Sequence, residues 1–192
     1  LIAYPISEEA IVNSAKQELQ IPFQKINDSI YAADPIEAIG KIGLGIGTYD
    51  RHNNTYNKNG VYSITAKLNG TQIKGLQFSK IRFSDSEYLN TLIDSPRYSR
   101  TRQRIQKLFR SPGNDLDFFD HLEDGLIDVE IGKEYAYQIK VSDANNNNRY
   151  LFVPIKGKEQ KVTIPPEERS EGKLIEPNRD YLFMYYGAEV YI

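Results

Sequence analysis

The chain has 192 residues and no cysteine. That absence excludes a disulfide framework, a thiolate metal site and a cysteine nucleophile together, though it leaves the compartment open. Histidine is almost absent as well. His52 and His121 stand far apart, and neither begins an H-x-x-x-D, H-x-H or H-E-x-x-H pattern, so no ligand spacing supports a zinc site within the chain. Both read as surface histidines. No nucleophile-elbow motif supports a Ser-His-Asp set. No apolar run approaches the roughly 18 residues a transmembrane helix needs. A formal net charge of −2 offers no general attraction to nucleic acid or to an anionic membrane. The chain opens at Leu1 without methionine or a signal-peptide pattern, which leads to the expectation of a mature product or an excised fragment.

What is present is a globular composition: hydrophobic residues make up 40% and charged residues 26%, too apolar for overall disorder. The organising stretch runs from Ile39 to Phe78. GKIGLGIGTYD (Gly40 to Asp50) is followed by a polar break and then by GVYSITAKLNGTQIKGLQF (Gly60 to Phe78). Val61, Ser63, Thr65 and Lys67 alternate with Tyr62, Ile64, Ala66 and Leu68, the period of a half-buried strand. Asn69-Gly70 supplies the chemistry of a tight hairpin, and Thr71 to Phe78 returns as its second strand. The glycines at 40, 43, 45 and 47 lack the helix and acidic residue of a dinucleotide fingerprint. Alternating with Ile42, Leu44 and Ile46, they describe a bulged or closely packed strand.

Around this centre the chain reads as short elements. Ser7-Glu8-Glu9 fits a cap for a helix over Ala10 to Leu19, while Ile11 and Val12 fit a strand starting at Ala10 equally. Ile21 to Tyr31 alternates loosely, with Pro22 marking an edge. Asp34-Pro35 is a turn. Ser84 and Glu87 form an S-x-x-E capping box that predicts a helix over Asp85 to Ile93, ended by Pro96. RYSRTRQRIQKLFR follows, where Ile105, Leu108 and Phe109 suit either one helical face or a strand. Leu126 to Ile131, Tyr135 to Val141 and Tyr150 to Ile155 return to period two. A double proline at 165–166 marks a boundary, and the last fourteen residues are aromatic and β-prone.

Three features carry candidate chemistry. Asp28, Asp34, Asp50 and Asp143 stand at loop ends, where they offer oxygen ligands for calcium, but EF-hand spacing is absent and Asx turns explain them equally. The 14 tyrosines offer stacking surfaces for sugars, yet alternating strand positions account for most of them structurally. The main candidate binding surface is the basic cluster Arg97, Arg100, Arg102, Arg104, Lys107 and Arg110. It would suit an anionic glycan, peptide or lipid head group. The competing expectation pairs it with the acidic stretch directly after it: Asp115, Asp117, Asp120, Glu123, Asp124 and Asp128. Nucleic-acid binding has no recognition motif behind it.

Taken in order, GKIGLGIGTYD, NKNGVYSITAKLNG (Asn57 to Gly70), RFSDSEYLNTLID (Arg82 to Asp94), RIQKLFRSPGN (Arg104 to Asn114) and IKVSDANNN (Ile139 to Asn147) resemble a known arrangement. It is the immunoglobulin-like region that follows the catalytic domain in exported lysostaphin-type (LytM-like) zinc metallopeptidases of Gram-negative bacteria. AYPISEEAIVN (Ala3 to Asn13) is similar to the segment just after that catalytic domain. The family holds zinc with H-x(3)-D and H-x-H, which this chain lacks, so no catalytic residue is carried over and zinc is expected only in a preceding catalytic domain. The resemblance implies a non-catalytic spacer, positioning or wall-binding module, in the periplasm or at the cell surface. Its expected partners are the catalytic domain of the same polypeptide and peptidoglycan or another envelope protein. A free-standing envelope or adhesion module recognising a glycan or protein is the alternative.

The resulting expectation is an all-β, immunoglobulin-like β-sandwich over residues 36–158, with a partly helical insertion at about 84–125. Residues 1–35 are expected as a linker with edge strands. Residues 159–192 are expected as a β-rich segment that opens a further module.

Overall fold

The computed structural model describes residues 1–48, 50–51, 58–59, 61–77, 92–110 and 124–162. Their elements are β1 (Ile2–Pro5), β2 (Ile11–Val12), β3 (Leu19–Gln20), β4 (Phe23–Lys25), β5 (Ile30–Ala33), β6 (Ile36–Ile46), β7 (Asp50–Arg51) and β8 (Lys58–Asn59). After them come β9 (Ser63–Leu68), β10 (Thr71–Gln77), one short helix α1 (Ser95–Thr101), β11 (Gln106–Lys107), β12 (Ile127–Val129), β13 (Glu134–Ser142) and β14 (Asn148–Gly157). The protein is all-β. Residues Leu1–Val162 form one compact unit, so the first 35 residues share it with the central strands. The β-prone segment from Thr163 onward and residues 85–91 of the helix expected over 85–93 lie outside the described residues.

The hairpin forms where Asn69-Gly70 demands it. Both turn residues have positive φ, 49° and 86°, the geometry of a type I′ turn whose twist suits the flanking strands. β9 pairs on its other side with β13, and β13 with β14, giving the order β10-β9-β13-β14. Asn69 ties the turn to β13: its backbone N–H donates to the Ala136 carbonyl and its side-chain Oδ1 accepts from the Ala136 N–H, both at 2.8 Å. β14 then runs parallel to β5 and to the first residues of β6. β4 pairs with β5, which puts Pro22 beside an edge strand as its missing N–H requires.

β6 is the hinge of the architecture. Ile36 to Ala38 lie against β14, whereas Ile42 to Gly45 pair with β1, and β12 and β11 pair with Gly40 to Ile42 and Gly45 to Ile46. The passage between the two sets of neighbours falls at Gly40, whose φ is +79°. The result is a curled open sheet wrapped around a main core. Ala3, Ile42, Leu44, Ile127 and Val129 from one part meet Ile64, Ala66, Ile139, Leu151, Val153 and Ile155 from the other.

The opposite face of β6 is also covered. Ile2, Tyr4, Ile105 and Phe109 form a second, smaller core there. This cover explains the alternating glycines. A Cβ on Gly43 would sit 2.4 Å from Phe109 Cδ1, and one on Gly45 would sit 2.9 Å from Ile105 Cγ2. Glycine is what lets those rings and methyls reach the strand.

Two alternatives left open by the sequence resolve to strands, and a proline takes a helix-starting place. Of the two readings near Ser7, the strand forms: Ser7 Oγ accepts from the Lys41 N–H at 3.0 Å and β2 pairs with β6. Pro96 stands at the start of a helix. It lies in the first turn of α1, where its missing N–H has no intrahelical partner to lose, and Asp94 caps that turn by accepting from the Arg97 N–H at 3.1 Å. Ile105, Leu108 and Phe109 share no helical face, because β11 is extended: Ile105 and Phe109 enter the small core and Leu108 the main one.

Candidate functional site

The basic segment is built into the sheet. Asp94 is buried, 3% exposed. One of its carboxylate oxygens caps α1, and the other accepts from the Tyr4 hydroxyl at 2.8 Å. Burial and that bond push the Tyr4 phenol well above its ordinary pKa. Its ring packs against Phe109 with centroids 5.4 Å apart.

From α1, the Arg97 guanidinium reaches Glu18 at 3.5 Å and both Gln20 and Gln103 at 3.3 Å. Arg100 pairs with the same Glu18 at 2.7 Å. Glu18 and Gln20 flank Leu19 on β3, so two of the six cluster members clamp the insertion onto the N-terminal strands. For these two, Glu18 takes the place given to the acidic stretch in the sequence reading. Residues 115–123 of that stretch lie outside the described residues.

The remaining members are spread rather than focused. Arg102 takes the left-handed C-cap position, with φ 59°, and its guanidinium lies 5.9 Å from the Tyr98 ring. Arg104 is exposed and makes no hydrogen bond or ion pair among the described residues. Lys107 stands 5.9 Å over the Phe109 ring. The Arg110 N–H donates to the Asp124 carbonyl at 2.7 Å. Arg100, Arg102, Arg104 and Arg110 are the exposed members, and Arg97 and Lys107 are half-buried.

A different surface is concave. At the end of the sheet where β5 and β14 begin, a cleft of about 680 Å³ is bounded by Phe23, Asp28, Tyr31, Asn147, Arg149 and Tyr150, with Gly47 and Thr48 at the end of β6. The parallel register that sets Tyr150 beside Ile30 and Leu151 beside Tyr31 brings the two preceding loops to one end. Phe23 is 43% exposed, and its ring meets Tyr31 edge-on at 6.1 Å.

Both loops are fixed by their own side chains. Asn27 Oδ1 accepts from the Ser29 and Ile30 N–H groups, each at 2.9 Å. Asp143 Oδ1 accepts from the N–H groups of Asn145 at 2.8 Å and Asn147 at 2.9 Å, and Asp143 Oδ2 from Asn147 Nδ2 at 2.7 Å. The Asn147 bonds hold the Asp143 carboxyl below its ordinary pKa. Lys25, 2.6 Å away, does the same for Asp28.

Asp28 and Asp143 therefore serve their own loops, and among the described residues no three His, Cys, Asp or Glu side chains gather as metal ligands. The Arg149 guanidinium lies within electrostatic reach of both Asp28 and Asp143 and makes no hydrogen bond or ion pair among the described residues.

The sequence reading named Asp28 and Asp143 but missed Phe23, Asn147 and Arg149. The available signal was a repeated pattern, an Asx loop followed three residues on by a tyrosine early in the next strand (Asn27-Asp28 before Tyr31, Asp143 to Asn147 before Tyr150).

No protein-family model matches the chain, and neither a curated protein nor a solved structure matches it.

Proposed function

We propose that this protein is a non-catalytic, immunoglobulin-like accessory module of an exported, peptidoglycan-directed zinc metallopeptidase, acting in the periplasm or at the cell surface. It positions a catalytic domain of the same polypeptide or holds it to the wall. The observation that carries this reading is the ordered series of segments resembling that family region. Packing supports treating the series as one unit: Ile105 and Phe109 of RIQKLFRSPGN lie against Gly43 and Gly45 of GKIGLGIGTYD.

The test uses purified peptidoglycan sacculi. The chain is expected to release no soluble muropeptides, and the coding sequence upstream of Leu1 is expected to encode H-x(3)-D and H-x-H motifs. Muropeptide release by the isolated chain would overturn the reading.

A second reading, a free-standing envelope or adhesion module, draws on the exposed charge of Arg100, Arg102 and Arg104. Reversing the three to Glu is expected to abolish envelope binding if that face carries it. Unchanged binding would remove this alternative.

A further inference from the structure

We propose that the cleft between the β4–β5 edge and the β13–β14 turn is a binding site for a neutral saccharide. Its size lies within the range of small-ligand sites, which combine apolar walls with a few placed polar groups. The walls are aromatic: Phe23 is substantially exposed on an edge strand, and Tyr31 and Tyr150 are half-buried beside it. An aromatic ring offers a flat apolar body for the C–H face of a pyranose, and the tyrosines add a hydroxyl.

The polar groups alternate in kind. Carboxylates at Asp28 and Asp143 accept, Arg149 donates, and the Asn147 and Asn148 amides have both capacities. A sugar hydroxyl also donates and accepts, so such a ring of groups satisfies it better than it would a simple ion. Charge points the same way. The two carboxylates are balanced by Lys25 and Arg149, leaving no surplus to select an anion or a cation.

The loops carrying these groups are bonded internally before any ligand arrives, so little ordering remains to oppose binding. Thr48 adds a hydroxyl beneath the cleft that has no hydrogen-bond partner among the described residues. The site stands on this chemistry alone. That the saccharide is the amino-sugar strand of the wall rests on the function proposed above.

The experiment is an amide-resolved NMR titration of the whole chain with an N-acetylglucosamine tetramer. A glucose tetramer serves as a second neutral sugar and inorganic sulfate as an anion. Saturable shifts are expected at residues 23, 31 and 147–150 with the amino-sugar oligomer and not with sulfate. Phe23→Ala and Arg149→Ala are each expected to weaken binding about tenfold or more, with melting temperature unchanged.

If neither sugar produces saturable shifts there, or if both variants bind as wild type, the site is overturned. Glucan binding without amino-sugar binding would sustain the site and overturn the wall reading. Sacculus sedimentation separates the two failures further: wild type and variants that all sediment to the same extent leave the wall reading standing and remove the cleft as its contact with the wall.

Discussion

The Arg97–Arg110 segment and the cleft at Asp28 and Arg149 are both charged and aromatic, yet they spend those groups oppositely. In the segment, the key polar groups face inward. Asp94 is divided between the Arg97 N–H and Tyr4, Arg97 is divided among Glu18, Gln20 and Gln103, and Phe109 covers Gly43. In the cleft the loops satisfy themselves and leave Phe23 and Arg149 facing open space. A charge-rich stretch in sequence is thus a poor guide to a binding surface. What matters is whether the fold has already supplied partners.

The comparison breaks most clearly at the seam. Gly43→Ala places a methyl group inside the Phe109 ring and is expected to cost about 3 kcal/mol, the upper range for overpacking. Denaturant unfolding measures it. Combined with Phe109→Ala, the loss should fall well short of the sum of the two single losses, because removing the ring leaves room for the new methyl group. Full additivity would show that the ring does not rest on this glycine.

Asp94→Ala is next, at about 2 kcal/mol, since it deletes a helix cap and strands the buried Tyr4 hydroxyl together. Arg104→Ala, in the same segment but exposed, should stay within about 0.5 kcal/mol. Equal losses for the two would erase the distinction between built-in and open charge.

Lys74 sharpens the comparison through pH. A register shift in β10 turns both Ile73 and Lys74 inward, and Lys74 is only 2% exposed. Desolvation lowers its pKa from 10.5 to about 8, against a smaller raising effect of Asp124. The folded state therefore releases this proton at a lower pH than the unfolded state does. Below pH 8 the penalty is fully present; between about pH 8 and 10.5 the unfolded chain binds more protons, so stability rises with pH. Measured against Lys74→Met, wild type should gain stability across that window. A flat difference would mean that the lysine is not desolvated.

The smallest stability effects belong to the cleft. Phe23→Ala and Arg149→Ala are each expected to shift unfolding by no more than about 0.5 kcal/mol, because both are exposed. A large loss at either would move it from the open class to the structural one.

Alternation from Ser63 to Leu68, the Asn69-Gly70 turn and the edge-marking Pro22 determined an all-β chain and one correct hairpin without any structure in hand. These are statements about backbone preference over a few neighbouring residues, and such preferences act locally. The glycines of β6 were legible as a sign of close approach, but not what approaches. The tertiary structure alone decided that Ile105 and Phe109 cover them, that Glu18 answers Arg97 from 79 residues away, and that β5 runs parallel to β14. The parallel pairing also made the cleft by bringing two distant Asx loops to one end of the sheet. Partner choice at that range depends on which closure of the chain buries both faces of β6, and no short window of sequence carries that information.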